Sequence, residues 1–130
     1  MMNRRATLEA AERKASRQRR EEAAGRLVDA FPTLRSLRLA VQEYRTGAPN
    51  AECEHVRRVV VEHAPALFEL PCTDAHCQDG GYDVTHEIVR ALRAGQSSFE
   101  GRQACQGRRG TNECNRFLRY VADASYGSGH

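Results

Sequence analysis

The sequence predicts an α+β chain: a small antiparallel sheet packed against one helix at about residues 83–95, behind an extended N-terminal helix. Three observations lead there. Apolar residues alternate with polar ones at Leu37, Leu39 and Val41, and again at Leu118, Tyr120, Ala122 and Ala124, the period of strands with one buried face. Val84, Ile88 and Leu92 recur instead at i, i+4 and i+8, the period of a helix. Residues 3–26 consist mainly of Ala, Glu, Arg and Gln with Leu8 as their only large apolar side chain, so they can be helical with almost no face to bury.

In chain order, Glu9/Arg13 and Glu22/Arg26 are i,i+4 pairs that support the first helix. Apolar content rises from Leu27, and Pro32 ends any helix there. Residues 36–45 read as a strand, and Thr46–Asn50 as a turn. Residues 54–63 are framed as a helix would be by Asn50 and Pro65, but Val59, Val60 and Val61 favour a strand, the preferred reading. Residues 66–70 form a short apolar strand. Asp83 is the expected N-cap of the helix and Gly95 its expected C′ residue. Residues 97–103 and 116–126 are then extended.

The chain has 130 residues and a formal charge of +3. All of that excess lies in the first thirty residues, and the other hundred are balanced. The expected organisation is a basic helical arm over 1–31, a single α+β domain over 32–126 and a loose tail over 127–130. No apolar run approaches the ~20 residues of a membrane span, and the N-terminus lacks the apolar stretch of a secretory signal, so a cytoplasmic protein without membrane contact is expected.

The five cysteines are an odd number in a chain without a secretion signal, which argues against a disulfide framework. Four of them form two pairs, Cys72-x4-Cys77 and Cys105-x8-Cys114, each set in turn-forming sequence with glycines at 80, 81, 107 and 110. Zinc takes four N or S donors at tetrahedral corners, and two short loops supplying two thiolates each are the usual way to provide them. One structural Zn²⁺ at Cys72, Cys77, Cys105 and Cys114 would staple both ends of a small core. His76 and His86 are alternates for one of the thiolates. Cys53 has no partner pair.

Over about residues 66–126 the two cysteine pairs, with a strand, a helix and a hairpin between them, resemble four-cysteine zinc ribbons and treble-clef-like zinc modules. The x8 spacing is longer than the usual two to four residues. The resemblance implies a structural metal and a binding role.

No catalytic motif accompanies these residues. Four thiolates would close a zinc site that catalysis needs open. Pro71-Cys72 matches the second element of nucleobase deaminases in neither order nor spacing. Neither C-x-x-C, nor a nucleophile elbow, nor a phosphate loop is present, so no enzymatic activity is expected.

Charge is divided around the two pairs. Glu69, Asp74, Asp79, Asp83 and Glu87 surround the first with no Lys or Arg among them, while Arg102, Arg108, Arg109, Arg116 and Arg119 surround the second. Arg108, Arg109, Arg116 and Arg119, extended by Arg17, Arg19 and Arg20 of the arm, are the candidate contacts to RNA or DNA phosphate, with Tyr120 or Phe117 as a stacking face. The competing expectation is a protein-interaction adaptor that docks through the N-terminal helix and uses zinc only for rigidity.

Overall fold

The structure, a computed structural model, describes residues 4–127. The chain runs α1 (Arg4–Ala24), α2 (Leu27–Ala30), β1 (Leu34–Arg45), β2 (Cys53–Val59), β3 (Glu69–Leu70), β4 (Tyr82–Asp83), α3 (Thr85–Arg93), β5 (Ser98–Ala104), β6 (Arg108–Arg109), β7 (Asn112–Glu113) and β8 (Arg116–Tyr126). The architecture is α+β, with a four-stranded antiparallel sheet in the order β2-β1-β8-β5 and two small two-stranded ribbons, β3-β4 and β6-β7. The tail expected over 127–130 lies, Gly127 apart, outside the described residues.

The alternation in β1 and β8 decides which face of the sheet is covered. Leu37, Leu39, Val41 and Glu43 stand opposite Ala124, Ala122, Tyr120 and Leu118 in register, and all eight are buried. Ile88 and Leu92 of α3 join them in one cluster with Phe68, Leu70, Tyr82 and Val84. Each large aliphatic side chain withdrawn from water in this way stabilises the fold by about 2 kcal/mol. Leu27, the first residue of the short α2, and Phe31, which follows it, are also part of this core. Among the described residues of α1 only the last, Ala24, packs against it, and Leu8 is 64% exposed.

The opposite face of the sheet is open. Ala40, Val56, Val121 and Glu100 form one row across it, and Gln42, Glu54, Arg119 and Arg102 form the next, by register. Val56 is 50% and Val121 42% exposed.

Three local readings need correction. Residues 54–63 are extended only to Val59; the chain then turns, with the N–H groups of His63 and Ala64 both bonded to the Val60 carbonyl. The strand expected over 66–70 shrinks to Glu69–Leu70, because the Ala66 N–H is taken by the Gly25 carbonyl and the chain must leave the ribbon to form the first cysteine loop. The N-cap position of α3 falls to Val84, whose side chain cannot cap, yet the Asp83 carboxylate still accepts the Thr85 N–H at 3.1 Å. Gly95, at φ +71°, ends the helix as expected, donating to the Leu92 carbonyl.

Candidate metal centre

β5 and β8 are antiparallel neighbours whose last registered pair is Ala104 with Phe117, so the residues just beyond them, Cys105 and Cys114, leave the sheet together. The eight residues between these cysteines are folded on themselves: β6 and β7 make a ribbon that turns at Gly110, φ +62°. That ribbon absorbs the long spacing and returns the chain to the same point. Cys72 and Cys77 come from the loop between β3 and β4. A turn closed by the Cys77 N–H on the Asp74 carbonyl aims them at the other pair. The loops are joined by a two-way backbone bridge, Gln78 N–H to Arg108 carbonyl at 2.7 Å and the reverse at 2.9 Å.

The four thiols converge. The Sγ atoms of Cys72, Cys77, Cys105 and Cys114 all lie within 4.8 Å of one another, and no disulfide joins them. Cys72 and Cys114 are 3.9 Å apart and Cys77 and Cys105 3.7 Å. A tetrahedron with metal–sulfur arms of about 2.3 Å has edges of about 3.8 Å, whereas a disulfide needs about 2.05 Å. The donor set therefore fits a four-coordinate metal ion. His76 and His86 are exposed and are not among the grouped donors, and Cys53 lies apart on β2.

Glycine makes the approach feasible. A Cβ on Gly107 would collide with Cys77 Sγ and come within 2.5 Å of the Gly80 Cα. One on Gly80 would strike Cys77 Sγ and stand 2.9 Å from Cys105 Sγ. The sequence marks these glycines only as turn formers; their role here is close packing against sulfur.

Without a cation the thiols are unlike one another. Burial pushes the Cys72 thiol up to about 11 and raises Cys77 further still. Burial also acts upward on Cys105, but hydrogen bonds from the backbone, among them Gly107 N–H at 3.3 Å, and from the Cys77 and Cys72 thiols together leave it below its ordinary value. A divalent cation would hold all four as thiolates.

Behind the first loop lies a buried polar network that sequence reading missed. Glu43, 1% exposed, accepts the Tyr82 hydroxyl at 3.0 Å and the Thr73 N–H at 3.3 Å on the same oxygen, with Arg116 Nη1 at 3.6 Å. Arg116 Nη1 also donates to Thr73 Oγ1 at 2.7 Å. Asp74, 7% exposed, accepts the His76 N–H and pairs with Arg109 at 3.2 Å. Two signals were available beforehand: Glu43, a charge continuing the apolar column of Leu37, Leu39 and Val41, and Arg116, in phase with Leu118, Tyr120 and Ala122.

The arginines expected to share one surface are divided. Arg108 and Arg119 are exposed; Arg109 is held by Asp74, and the Arg116 side chain is only 10% exposed against Glu43. In α1, Arg19 is exposed, Arg17 pairs with Glu21 at 3.0 Å, and Arg20 makes a two-pronged contact to Glu69 at 2.9 and 3.2 Å. Arg13, Arg17 and Arg20 face Glu69, Asp79 and Asp83 across a cleft of ≈ 580 Å³. Tyr120 faces the core and donates to Glu87. Phe117 faces the open side, stacked on Tyr44 with ring centres 5.2 Å apart and with the Arg102 guanidinium 4.8 Å from its centre.

Comparison with protein families, curated proteins and solved structures finds no match to this chain. The fold and the four-thiol group therefore define it only as an α+β protein with a candidate metal-binding centre. No described helix is long and apolar enough to cross a membrane.

Proposed function

We propose that this chain is a small zinc-binding accessory protein: one structural Zn²⁺ sits at Cys72, Cys77, Cys105 and Cys114, and the sheet it braces binds single-stranded nucleic acid. Zinc suits the four-sulfur tetrahedral donor set, and four thiolates leave no open position, so the role is binding rather than catalysis. What supports the nucleic-acid reading is one grouping on the open face: Arg102 over Phe117, Phe117 on Tyr44, and Arg119 directly opposite Arg102 in register. Guanidinium groups suit phosphate, and an aromatic face accepts a stacked base. A cleft of ≈ 440 Å³ runs from this group to the turn at Thr46, Gly47 and Ala48. Arg108 is exposed on the β6–β7 ribbon and Arg19 on the arm, free to add phosphate contacts of their own, whereas Arg109, Arg116, Arg17 and Arg20 are first of all structural partners.

Native mass spectrometry on the purified chain tests the metal: one zinc per chain is expected, lost in Cys105→Ser or Cys114→Ser, and a folded metal-free protein would overturn it. Titration with fluorescent single-stranded RNA and DNA tests the second part. Salt-insensitive binding, or none, would favour an interaction adaptor that acts in the cytoplasm through α1, where the exposed Leu8 is the apolar contact a protein partner would cover.

A further inference from the structure

β2 is one edge of the four-stranded sheet, and among the described residues no backbone hydrogen bond joins residues 54–58 to any element other than β1. An unpaired edge is a template for another strand, and proteins guard such edges with charged side chains (lysine above all), proline or a bulge, charges guarding only against a strand whose own charges do not match them. β2 contains no lysine or proline, and its pairing with β1 runs without a shift. It carries charges instead, in the order Glu54, His55, Val56, Arg57, Arg58.

That order is self-complementary. We propose that β2 pairs with β2 of a second copy of this chain, antiparallel about a twofold axis at Val56. A twofold perpendicular to the sheet keeps every side chain on its own face, so only registers that join residues of equal parity are available. Centred on Val56, the pairing sets Val56 against Val56 and Glu54 against Arg58 twice. His55 meets Arg57 and Cys53 meets Val59 on the other face. Centred one residue either way, it sets Glu54 against Val56 or Val60 and leaves its charge unmatched.

The isolated chain shows what this register supplies. Arg58 stands directly opposite Arg38 in β1, a like-charge pair that is unfavourable across strands. Arg38 has Asp123 at 3.6 Å, but among the described residues no carboxylate pairs with Arg58. Glu54, bonded at 3.0 Å to Gln42 on the open face, would bring that carboxylate from the second copy. Val56, half exposed at the centre of the edge, would be covered by its own counterpart.

Sedimentation equilibrium of the full metal-loaded chain at about 10 and 100 μM, the range of small-interface association, tests this. A reversible dimer is expected. Glu54→Arg or Arg58→Glu should each weaken it by at least about tenfold, because a twofold axis counts every change twice. The double swap E54R/R58E should restore it. Both side chains are exposed, so circular dichroism should be unchanged. A monomer at both concentrations, a dimer indifferent to the single reversals (as pairing through β5 would give), or a double swap no better than the singles would each overturn the proposal.

Discussion

Glu43 and Arg116, from neighbouring strands β1 and β8, face each other beneath the first cysteine loop with their side chains 2% and 10% exposed and 3.6 Å between charged atoms. Both also reach Thr73, next to Cys72: Glu43 accepts its N–H and Arg116 donates to its hydroxyl. The sheet thereby holds the loop that supplies two of the four thiols. Breaking such a pair from one side is expensive because the remaining charge stays buried. Glu43→Leu should destabilise the fold by about 3–5 kcal/mol, and Glu43→Leu with Arg116→Met by much less. Tyr82→Phe, which removes one donor to the same buried carboxylate, should cost about 1.5–3 kcal/mol. Urea unfolding of the metal-loaded proteins measures all three. Equal losses for the single and double variants would mean that the pair is not coupled.

Gly107 and Gly110 sit three residues apart and should respond to the same substitution for different reasons. At Gly107 a Cβ overlaps Cys77 Sγ, so Gly107→Ala should displace a thiol and weaken zinc binding by at least about tenfold, given that even outer-sphere changes cost 10–100-fold. At Gly110 there is nothing within 4 Å, only the left-handed φ of +62°. Gly110→Ala should therefore cost about 1 kcal/mol of stability with metal affinity unchanged. Competition against a chromogenic chelator separates the two.

This contrast shows what the sequence could and could not convey. β8 over 116–126, the apolar face of α3 and the two cysteine pairs are local patterns, legible because period and spacing survive in one dimension. The Glu43–Tyr82–Arg116 network joins residues 39 and 73 positions apart; alternation puts Arg116 in phase with Leu118 and Tyr120 and Arg119 out of phase, but it does not say which distant residue meets Arg116. The x8 gap is longer than zinc-module spacing, and no local pattern tells that β6 and β7 fold inside it and return Cys114 to Cys105. Asp83 works as a cap one residue earlier than the cap position, a difference that propensity does not resolve.

Asp74 provides the acid dependence. The His76 N–H, followed by the charges of Arg109 and Arg116, holds its carboxyl below the usual carboxylate value against the opposing effect of burial. A carboxylate whose value is depressed on folding contributes stability that is present above its unfolded value, about 3.9, and is lost as pH falls through the folded one. Asp74→Asn should therefore be less stable than the parent at pH 7, and the difference should vanish at the acid end. Thermal melts of the two metal-loaded proteins from pH 7 downward check the sign, because the loss from thiolate protonation is common to both and cancels in the difference. A difference that grows on acidification would contradict it.

The open face gives the nucleic-acid reading its clearest test, because the residues proposed to bind are separable from those that hold the fold. Arg119 and Phe117 on the open face and Arg108 on the β6–β7 ribbon all lie outside the core cluster, while Arg116 is fastened to Glu43. If Arg108 and Arg119 each meet a phosphate of single-stranded nucleic acid, each change to Ala should lower affinity and reduce the slope of log K against log salt by about 0.7. Phe117→Ala should weaken binding by about 1–3 kcal/mol with the slope unchanged, since stacking displaces no counterion. Arg26→Ala, whose side chain pairs with Asp29 outside this face, should leave both quantities as they are. The combination discriminates where a bare loss of affinity would not: a charge effect without a stacking effect would describe nonspecific attraction to any arginine-bearing surface, whereas both together place the strand across the Tyr44–Phe117–Arg102 group.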